Sequence, residues 1–414
     1  MTVPNGLVQI CCVASDQLKD ENQNPYYLDK TSLLDIWNST HMREIRKKML
    51  GGESVKGCEI CYSQDQLGKN SFRQRNNDYW LSRLGSEKFT SLVEESAQVD
   101  FENKSAPAFL DLRMGNKCNL KCRTCNPYNS VQIEKEYEQL NTESDGEYKK
   151  FWKKNNFEFF KFEPWFEDQN FWLQLESFVP QLQRLYLTGG EPTLIEGNYK
   201  LMNLCIEQNR AKDIEIVFNI NFTNLPEEFL KAIEQFKSAT IVASIDAYGD
   251  LNDYIRSGSK WKKIEENLEI FLKNKTSQIS LGFSPVVQSY NILKITELFS
   301  FIEDLSNKYE ESFFVDTLFC YAPDFMDFIY LPRDIKLQAI ESIKSWKTKS
   351  ERSNSSLQND IFNNSVESLL RRLEESLDLV NSEKLKQLAY YTKTLDKKRN
   401  TSIDNHFPEF KDIL

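Results

Sequence analysis

The chain contains few of the residues on which several common classes of protein depend. Nine cysteines among 414 residues are too few for a disulfide scaffold, and the only histidines are His41 and His406. No apolar run approaches the roughly 20 residues of a membrane-spanning helix. The amino terminus, MTVPNGLVQI, lacks the charged start and apolar block of a secretory signal. We therefore expect a soluble cytoplasmic protein without a membrane partner.

An excess of positive charge is also absent. The chain has 52 basic and 62 acidic side chains, which give a formal net charge of -10. Because a negative protein repels phosphate backbones, nucleic acid is a disfavoured partner. At 414 residues the chain exceeds what one hydrophobic core usually supports, so we expect two or three domains.

From residue 108 onward the sequence contains a series of short apolar segments. Each is rich in β-branched or aromatic residues, which predicts a buried strand. Helical patterns lie between them, and this alternation predicts an α/β fold with a parallel sheet and right-handed crossovers. The predicted strands are 108–114, 183–188, 214–218, 240–246, 278–283 and 313–322.

The interval between the first two predicted strands is much longer than the later intervals, which indicates an insertion over residues 135–175. Within it, FWKKNNFEFFKFEPWFEDQNFW (151–172) holds ten aromatic residues in 22. Two interpretations remain open for this segment. It is either a helical excursion whose rings pack against the sheet or a lid whose rings line a substrate cavity.

The stretch CNLKCRTC (118–125) places Cys118, Cys122 and Cys125 within eight residues. Thiolates select zinc, copper or iron-sulfur clusters, and structural zinc prefers four closed ligands. A cubane cluster held by three cysteines leaves one iron open for another ligand. The stretch directly follows the first predicted strand, where parallel α/β folds place their chemistry. TGGEP (188–192) stands at the matching end of the second predicted strand.

This combination resembles the radical S-adenosylmethionine (radical SAM) superfamily, whose hallmark is a CX3CX2C loop after the first strand and a GGE loop after the second. The resemblance covers about residues 105–325 and implies a partial (β/α)6 barrel. It also implies a [4Fe-4S] cluster on Cys118, Cys122 and Cys125, with SAM on the open iron. Reductive cleavage of SAM would then give a 5′-deoxyadenosyl radical that removes hydrogen from a substrate.

The resemblance also implies cofactor-binding roles at the ends of the strands. The GGE loop would hold the methionine amino group, and polar residues after the third and fourth strands would contact the ribose and the carboxylate. In the alternative, structural interpretation, the polar residues only complete the hydrogen bonds of turns at the strand ends, and the arginine forms a surface salt bridge. The residues concerned are Gly189, Gly190, Glu191, Asn221, Ser244, Asp246 and Arg256.

Two further cysteine pairs, in NGLVQICC (5–12) and KGCEICY (56–62), flank a predicted helix over residues 31–50. Four thiolates could bind zinc, although the side chains of adjacent cysteines diverge. The arrangement resembles the twitch module, a shortened relative of the SPASM domain that holds an auxiliary iron-sulfur cluster. This resemblance implies Cys11, Cys58 and Cys61 as ligands, with Cys12 as a possible fourth. A zinc site and a site lost through drift are the alternatives.

We therefore predict three regions: a twitch-like module over 1–85, a radical SAM core over 105–325, and a helical extension over 331–414 without visible chemistry. The resemblance implies a radical SAM enzyme that acts on a peptide or protein, with a flavodoxin-like or ferredoxin-like electron donor. One alternative is a radical SAM enzyme acting on a sugar or nucleotide. The other is a non-catalytic iron-sulfur or zinc protein that binds a partner.

Overall fold

The computed structural model describes residues 1–66, 71–103, 105–352, 360–411 and 413. Within these residues, six strands form one sheet in the order β1-β3-β4-β5-β7-β9, and every neighbouring pair is parallel. This confirms the predicted α/β fold. The strands are β1 (Phe109–Arg113), β2 (Lys121–Cys122), β3 (Arg184–Thr188), β4 (Glu215–Ile220), β5 (Ser238–Ala243), β6 (Arg256–Ser257), β7 (Ile279–Phe283), β8 (Val286–Val287), β9 (Phe314–Val315) and β10 (Leu318–Phe319).

Helices connect the strands of the sheet and extend beyond it at both ends of the chain. No helix in the described residues is long and apolar enough to cross a membrane. The helices are α1 (Leu33–Trp37), α2 (Thr40–Leu50), α3 (Glu59–Gln66), α4 (Phe72–Leu84), α5 (Ser86–Gln98), α6 (Val131–Glu143), α7 (Glu147–Lys154), α8 (Gln169–Phe178), α9 (Glu196–Glu207), α10 (Glu227–Ile233), α11 (Asp250–Ile255), α12 (Trp261–Asn274), α13 (Ile295–Tyr309), α14 (Arg333–Arg352), α15 (Asp360–Glu375) and α16 (Ser382–Arg399).

Two predicted elements differ from the structure. The single helix predicted over residues 31–50 is two helices, because Ser39 leaves the helical conformation and caps α2 by accepting a hydrogen bond from the Met42 N–H. The last predicted strand, 313–322, is divided into β9 and β10. Only β9 joins the main sheet, whereas β10 pairs with β8.

The two faces of the main sheet have different chemistry. One face is apolar and fully buried, with Leu185, Leu187, Ile216 and Phe218 in the core. Along β3 and β4 these residues alternate with those of the opposite face, which is only partly buried. It carries polar side chains such as Tyr186, whose hydroxyl donates to Asn219 Oδ1 at 3.0 Å. The sheet thus has a polar, partly accessible face.

The aromatic insertion joins the amino-terminal region to the sheet. The Trp165 indole N–H donates to the Pro4 carbonyl oxygen at 2.9 Å. A Cβ atom on Gly6 would lie 2.8 Å from the Trp165 ring, so the glycine permits close packing there. Phe166 lies in the same way against Gly115, just before the cysteine stretch. These contacts favour the packing interpretation of the insertion over the lid.

Helix α4 lies at the amino ends of β3 and β4. The Tyr79 hydroxyl donates to Glu215 Oε2 at 2.5 Å, and Arg83 Nε donates to Gln183 Oε1 at 3.0 Å. The Arg184 guanidinium stacks on the Tyr79 ring at 4.5 Å. These contacts close the amino end of the polar face, while its carboxyl end lies next to the cysteine loop.

Candidate functional site

The three cysteines of CNLKCRTC lie on the loop that follows β1. Within this loop, β2 pairs with β6 in antiparallel orientation, so that Cys122 faces Arg256. The Arg123 N–H extends the pairing by donating to the Ile255 carbonyl oxygen at 2.8 Å. We call residues 115–125 the cysteine loop. It is held at the carboxyl end of the sheet by the segment that follows β5.

The three thiols are electrostatic neighbours of one another, and the three cysteines are half-buried. Burial raises the pKa of Cys118 to about 12, and it also raises the pKa of Cys122 and Cys125. Cys122 and Cys118 are among the groups that raise the pKa of Cys125 further. Such thiols stay protonated unless a bound cation compensates the thiolate charge.

The geometry is compatible with an iron-sulfur cluster. Among the described residues, no three His, Cys, Asp or Glu side chains converge as they would around a single metal ion. A cubane does not require such convergence, because each thiolate binds a different iron. Arg256 Nη1 lies 3.8 Å from Cys122 Sγ and supplies the positive charge that a thiolate cluster favours.

TGGEP, at the end of β3, packs directly against the cysteine loop. The Gly190 N–H donates to the Gly115 carbonyl oxygen at 3.2 Å, and the Glu191 N–H donates to that of Lys117 at 2.9 Å. A Cβ atom on Gly190 would lie 2.3 Å from the Lys117 carbonyl oxygen. Gly189 has a φ of +120°, which side chains rarely permit. Both glycines are therefore required by the backbone contact.

Glu191 and Asn221 connect the ends of β3 and β4 to the same loop. Glu191 Oε2 accepts from the Asn221 N–H at 2.9 Å, and its Oε1 accepts from the Thr193 hydroxyl at 2.8 Å. Asn221 Nδ2 donates to Asn119 Oδ1 at 3.0 Å, inside the cysteine stretch. Burial raises the pKa of Glu191 to about 7. In the described structure Glu191 thus makes contacts within the protein.

Asp246 and Arg256 form a buried ion pair after β5. Arg256 Nε lies 2.8 Å from Asp246 Oδ2, and the Asp246 side chain is fully buried. Asp246 Oδ1 accepts from the Val286 N–H at 2.9 Å. Ser244 lies two residues earlier and donates its N–H to the Ile220 carbonyl oxygen. The structure thus pairs two predicted cofactor residues with each other and places Arg256 beside a cysteine.

The sequence analysis missed two residues that lie in or near the cysteine loop. Asn119 is one, and its place between two cysteines was the only sequence signal. Arg399 is another: it is an electrostatic neighbour of Cys122 and comes from helix α16. Nothing in the local sequence of α16 indicated this, because the contact joins positions that are far apart in the chain.

The amino-terminal cysteines also lie together. Cys61 is an electrostatic neighbour of Cys11, and both Cys11 and Cys61 are neighbours of Cys58. Cys58 and Cys61 are buried. The largest side-chain influence on Cys12 is Asp111 in β1, and burial raises the pKa of Cys12 to about 11. Cys12 therefore faces the polar side of the sheet, while the other three thiols lie near one another.

Comparison with known families assigns the middle of the chain. Residues 112–302 match the family model described as the radical SAM superfamily. This range begins in β1, contains the cysteine loop and TGGEP, and ends in α13. The chain therefore contains a radical SAM domain over these residues. No curated protein matches the sequence.

Several solved structures are similar in outline. Native anSMEcpe with bound AdoMet has 17% identity and a TM-score of 0.39, over 59% of this chain and 62% of that one. Streptococcus suis SuiB bound to S-adenosylmethionine has 15% identity and a TM-score of 0.39, over 86% and 71% of the two chains. SuiB bound to its precursor peptide SuiA has 14% identity and a TM-score of 0.37, over 84% and 70%. The present chain spans about six tenths of the length of anSMEcpe.

Proposed function

We propose that this chain is a radical SAM enzyme that starts its reaction by removing a hydrogen atom from a substrate. The observation that carries the proposal is the position of Cys118, Cys122 and Cys125 on one loop at the carboxyl end of β1. TGGEP packs against this loop through backbone hydrogen bonds. The surrounding residues, 112–302, match the radical SAM family model.

In this proposal the three thiolates hold a [4Fe-4S] cluster whose fourth iron binds SAM. A cluster bound there would supply the electron that cleaves SAM to methionine and a 5′-deoxyadenosyl radical. The protein residues fix the geometry and exclude water. The half-buried position of the three cysteines and the packed TGGEP loop support this role, because both limit solvent beside the cluster.

The SAM contacts follow from the polar residues around the loop. We propose that the backbone of Gly189, Gly190 and Glu191 receives the methionine amino group. Arg256 uses Nε for Asp246 and Nη1 for Cys122. Its Nη2 takes part in neither contact, and we propose that it binds the SAM carboxylate. We propose that three polar residues orient the ribose and carboxylate of SAM: Asn221, Ser244 and Asp246. The adenine is proposed to pack near Val286, which follows β7.

We further propose that Cys11, Cys58 and Cys61 hold an auxiliary iron-sulfur cluster. The mutual proximity of the three thiols supports this ligand set. Cys12 is less suitable as a fourth ligand, because its strongest side-chain neighbour is Asp111. Three thiolates would leave one iron open toward another ligand.

The substrate is proposed to bind the polar face of the sheet. Asp111 Oδ1 and Thr188 Oγ1 are buried there, and neither has a hydrogen-bond partner among the described residues. Asp111 pairs with Tyr186 in the β1–β3 register, so these groups share one face. We propose a peptide or protein substrate, because twitch-like modules accompany such enzymes. A sugar or nucleotide is the second candidate substrate. The proposed electron donor is a flavodoxin-like or ferredoxin-like protein in the cytoplasm.

The test is cleavage of SAM by anaerobically reconstituted, reduced protein. We expect 5′-deoxyadenosine from the native chain and none after replacement of Cys118, Cys122 and Cys125 by alanine. Cys205→Ala is the matched control, since Cys205 is a buried core thiol in α9 and its loss should leave cleavage intact. Cleavage by the triple variant would contradict the proposal. A cluster that forms on the native chain but never cleaves SAM would favour the non-catalytic alternative.

A further inference from the structure

One arginine inside the cysteine loop is fully buried. Arg123 stands between Cys122 and Cys125, and its side chain has no exposed surface. Its Nη2 atom forms an ion pair at 2.5 Å with Oδ1 of Asp396, 273 residues away in α16. Its guanidinium also lies 3.8 Å from the centre of the Tyr254 ring. A buried arginine needs such partners, because removing its charge from water is costly.

A second ion pair joins α16 to Glu136 in α6, which in turn contacts the residue before Cys122. Arg399 Nη2 lies 2.6 Å from Glu136 Oε2, and both side chains are almost fully buried. Glu136 Oε1 also lies 2.8 Å from Lys121 Nζ, in the residue before Cys122. Arg399 is thus linked through the Glu136 carboxylate to the residue that precedes Cys122.

Helix α16 therefore contacts the cysteine loop directly through Arg123 and indirectly through Glu136 of α6. Besides the two ion pairs, the Tyr391 hydroxyl donates to the Arg123 carbonyl oxygen at 2.8 Å. Three residues lie on the same side of α16: Tyr391, Asp396 and Arg399. The helical period places them within less than about 180° of one another around the helix axis. Side chains on both sides of Cys122 are thus fixed by one distant helix.

We propose that α16 positions the cysteine loop for its cluster, directly through Arg123 and indirectly through the contacts of Arg399 with Glu136 and of Glu136 with Lys121. This proposal rests on the proposed function, because it concerns the cluster held by the same three cysteines. Three thiolates repel one another, and fixed positive charges beside them offset that repulsion. Arg123 fixes the loop from inside, and Arg399 holds the Glu136 carboxylate that contacts Lys121. The carboxy-terminal region thereby acquires a role that its sequence did not indicate.

The test compares Arg399→Gln with Lys397→Gln in the reconstituted full-length chain. Both variants lose one positive charge from the last turn of α16, but Lys397 is exposed. Two properties of the cluster on Cys118, Cys122 and Cys125 are measured: the rate at which a chelator removes it, and its reduction potential. The signals of this cluster are identified as those that the triple cysteine variant lacks. Loss should be about 10-fold to 100-fold faster in Arg399→Gln, as for other residues that support metal ligands. Its potential should be more negative, because a positive charge favours the reduced cluster.

Arg399→Lys separates charge from packing. It should restore most of the potential, because lysine keeps the positive charge, while cluster loss stays faster since the bidentate contact to Glu136 is gone. If Arg399→Gln does not fold, Asp396→Asn tests the same helix through Arg123, with exposed Asp404→Asn as its control. Native-like cluster loss and potential in Arg399→Gln or in Asp396→Asn would overturn the positioning role. A native chain without any cluster on Cys118, Cys122 and Cys125 would instead overturn the proposed function.

Discussion

The molecule contains two groups of three thiols that are built in different ways. Cys118, Cys122 and Cys125 lie within eight residues of one loop. Cys11 and the Cys58–Cys61 pair come from two segments that meet only after folding. The three cysteines of the first group are half-buried, as is Cys11, whereas Cys58 and Cys61 are buried. Removal from water raises the pKa of Cys118 as it does that of Cys58.

The surroundings of the two groups differ more than the thiols do. The cysteine loop is paired with β6, contacted by TGGEP and joined to α16 by buried ion pairs. The amino-terminal group lies in a region whose strand pairing, among the described residues, consists of isolated bridges such as Leu7–Tyr27 and Gln9–Gln17. The first group is therefore supported by the core without metal, whereas we expect the folding of the second to depend more on its proposed cluster.

The largest expected effect comes from removing each group of thiols separately. Replacing Cys118, Cys122 and Cys125 by alanine should abolish SAM cleavage but leave about half the iron and an absorbance near roughly 400 nm, because the second thiolate group remains. Replacing Cys58 and Cys61 should remove the other half of the iron and leave SAM cleavage intact. Only the second change should make residues 1–66 sensitive to limited proteolysis. Iron analysis, absorption spectra and product assays measure these outcomes.

The alternatives give different results in the same experiment. A colourless triple variant that contains about one equivalent of zinc would contradict the auxiliary cluster, because zinc has no visible absorption band. A triple variant without any metal would indicate a site lost through drift. Neither result would affect the proposal for the cysteine loop, since that proposal is judged by SAM cleavage alone.

The sequence predicted the elements whose signals are local. Short apolar runs located the strands of the main sheet, and the spacing of CNLKCRTC located the cysteine loop directly after β1. Contacts between distant segments could not be predicted in this way. The Arg123–Asp396 pair joins residues 273 positions apart, and neither end has a distinctive local pattern. The break between α1 and α2 was missed because apolar spacing continues across the capping Ser39.

Gly190→Ala should produce the next largest effect and should act on the cysteine loop alone. The added Cβ atom would lie 2.3 Å from the Lys117 carbonyl oxygen, so the backbone of the loop must move. We expect a loss of about 3 kcal/mol in the free energy of unfolding, at the upper end of overpacking effects. Reconstitution should also leave the loop cluster incomplete while the amino-terminal cluster forms normally. Denaturant unfolding and iron content measure the two effects.

Gly51→Ala provides the comparison for this substitution. Gly51 ends α2 in the amino-terminal region, and an added Cβ atom would meet the flexible Glu53 side chain at 3.3 Å. Its replacement should therefore change stability little. If Gly190→Ala unfolds like the native chain and reconstitutes fully, the close packing of TGGEP on the cysteine loop is not required for cluster assembly.

Glu191→Gln should give the smallest effect, visible as a change in pH dependence. Burial raises the pKa of Glu191 from 4.5 to about 7 in the folded chain. The folded state therefore binds this proton more tightly than the unfolded state, and the associated stability is present below pH 4.5 and lost as pH rises through 7. Glutamine stays neutral, so the variant apoprotein should lose about 2 kcal/mol less stability than the native apoprotein between roughly pH 5 and pH 8. Exposed Glu228→Gln should retain the native pH dependence, and an identical pH dependence in Glu191→Gln would show that Glu191 is already ionised in the folded chain at pH 5.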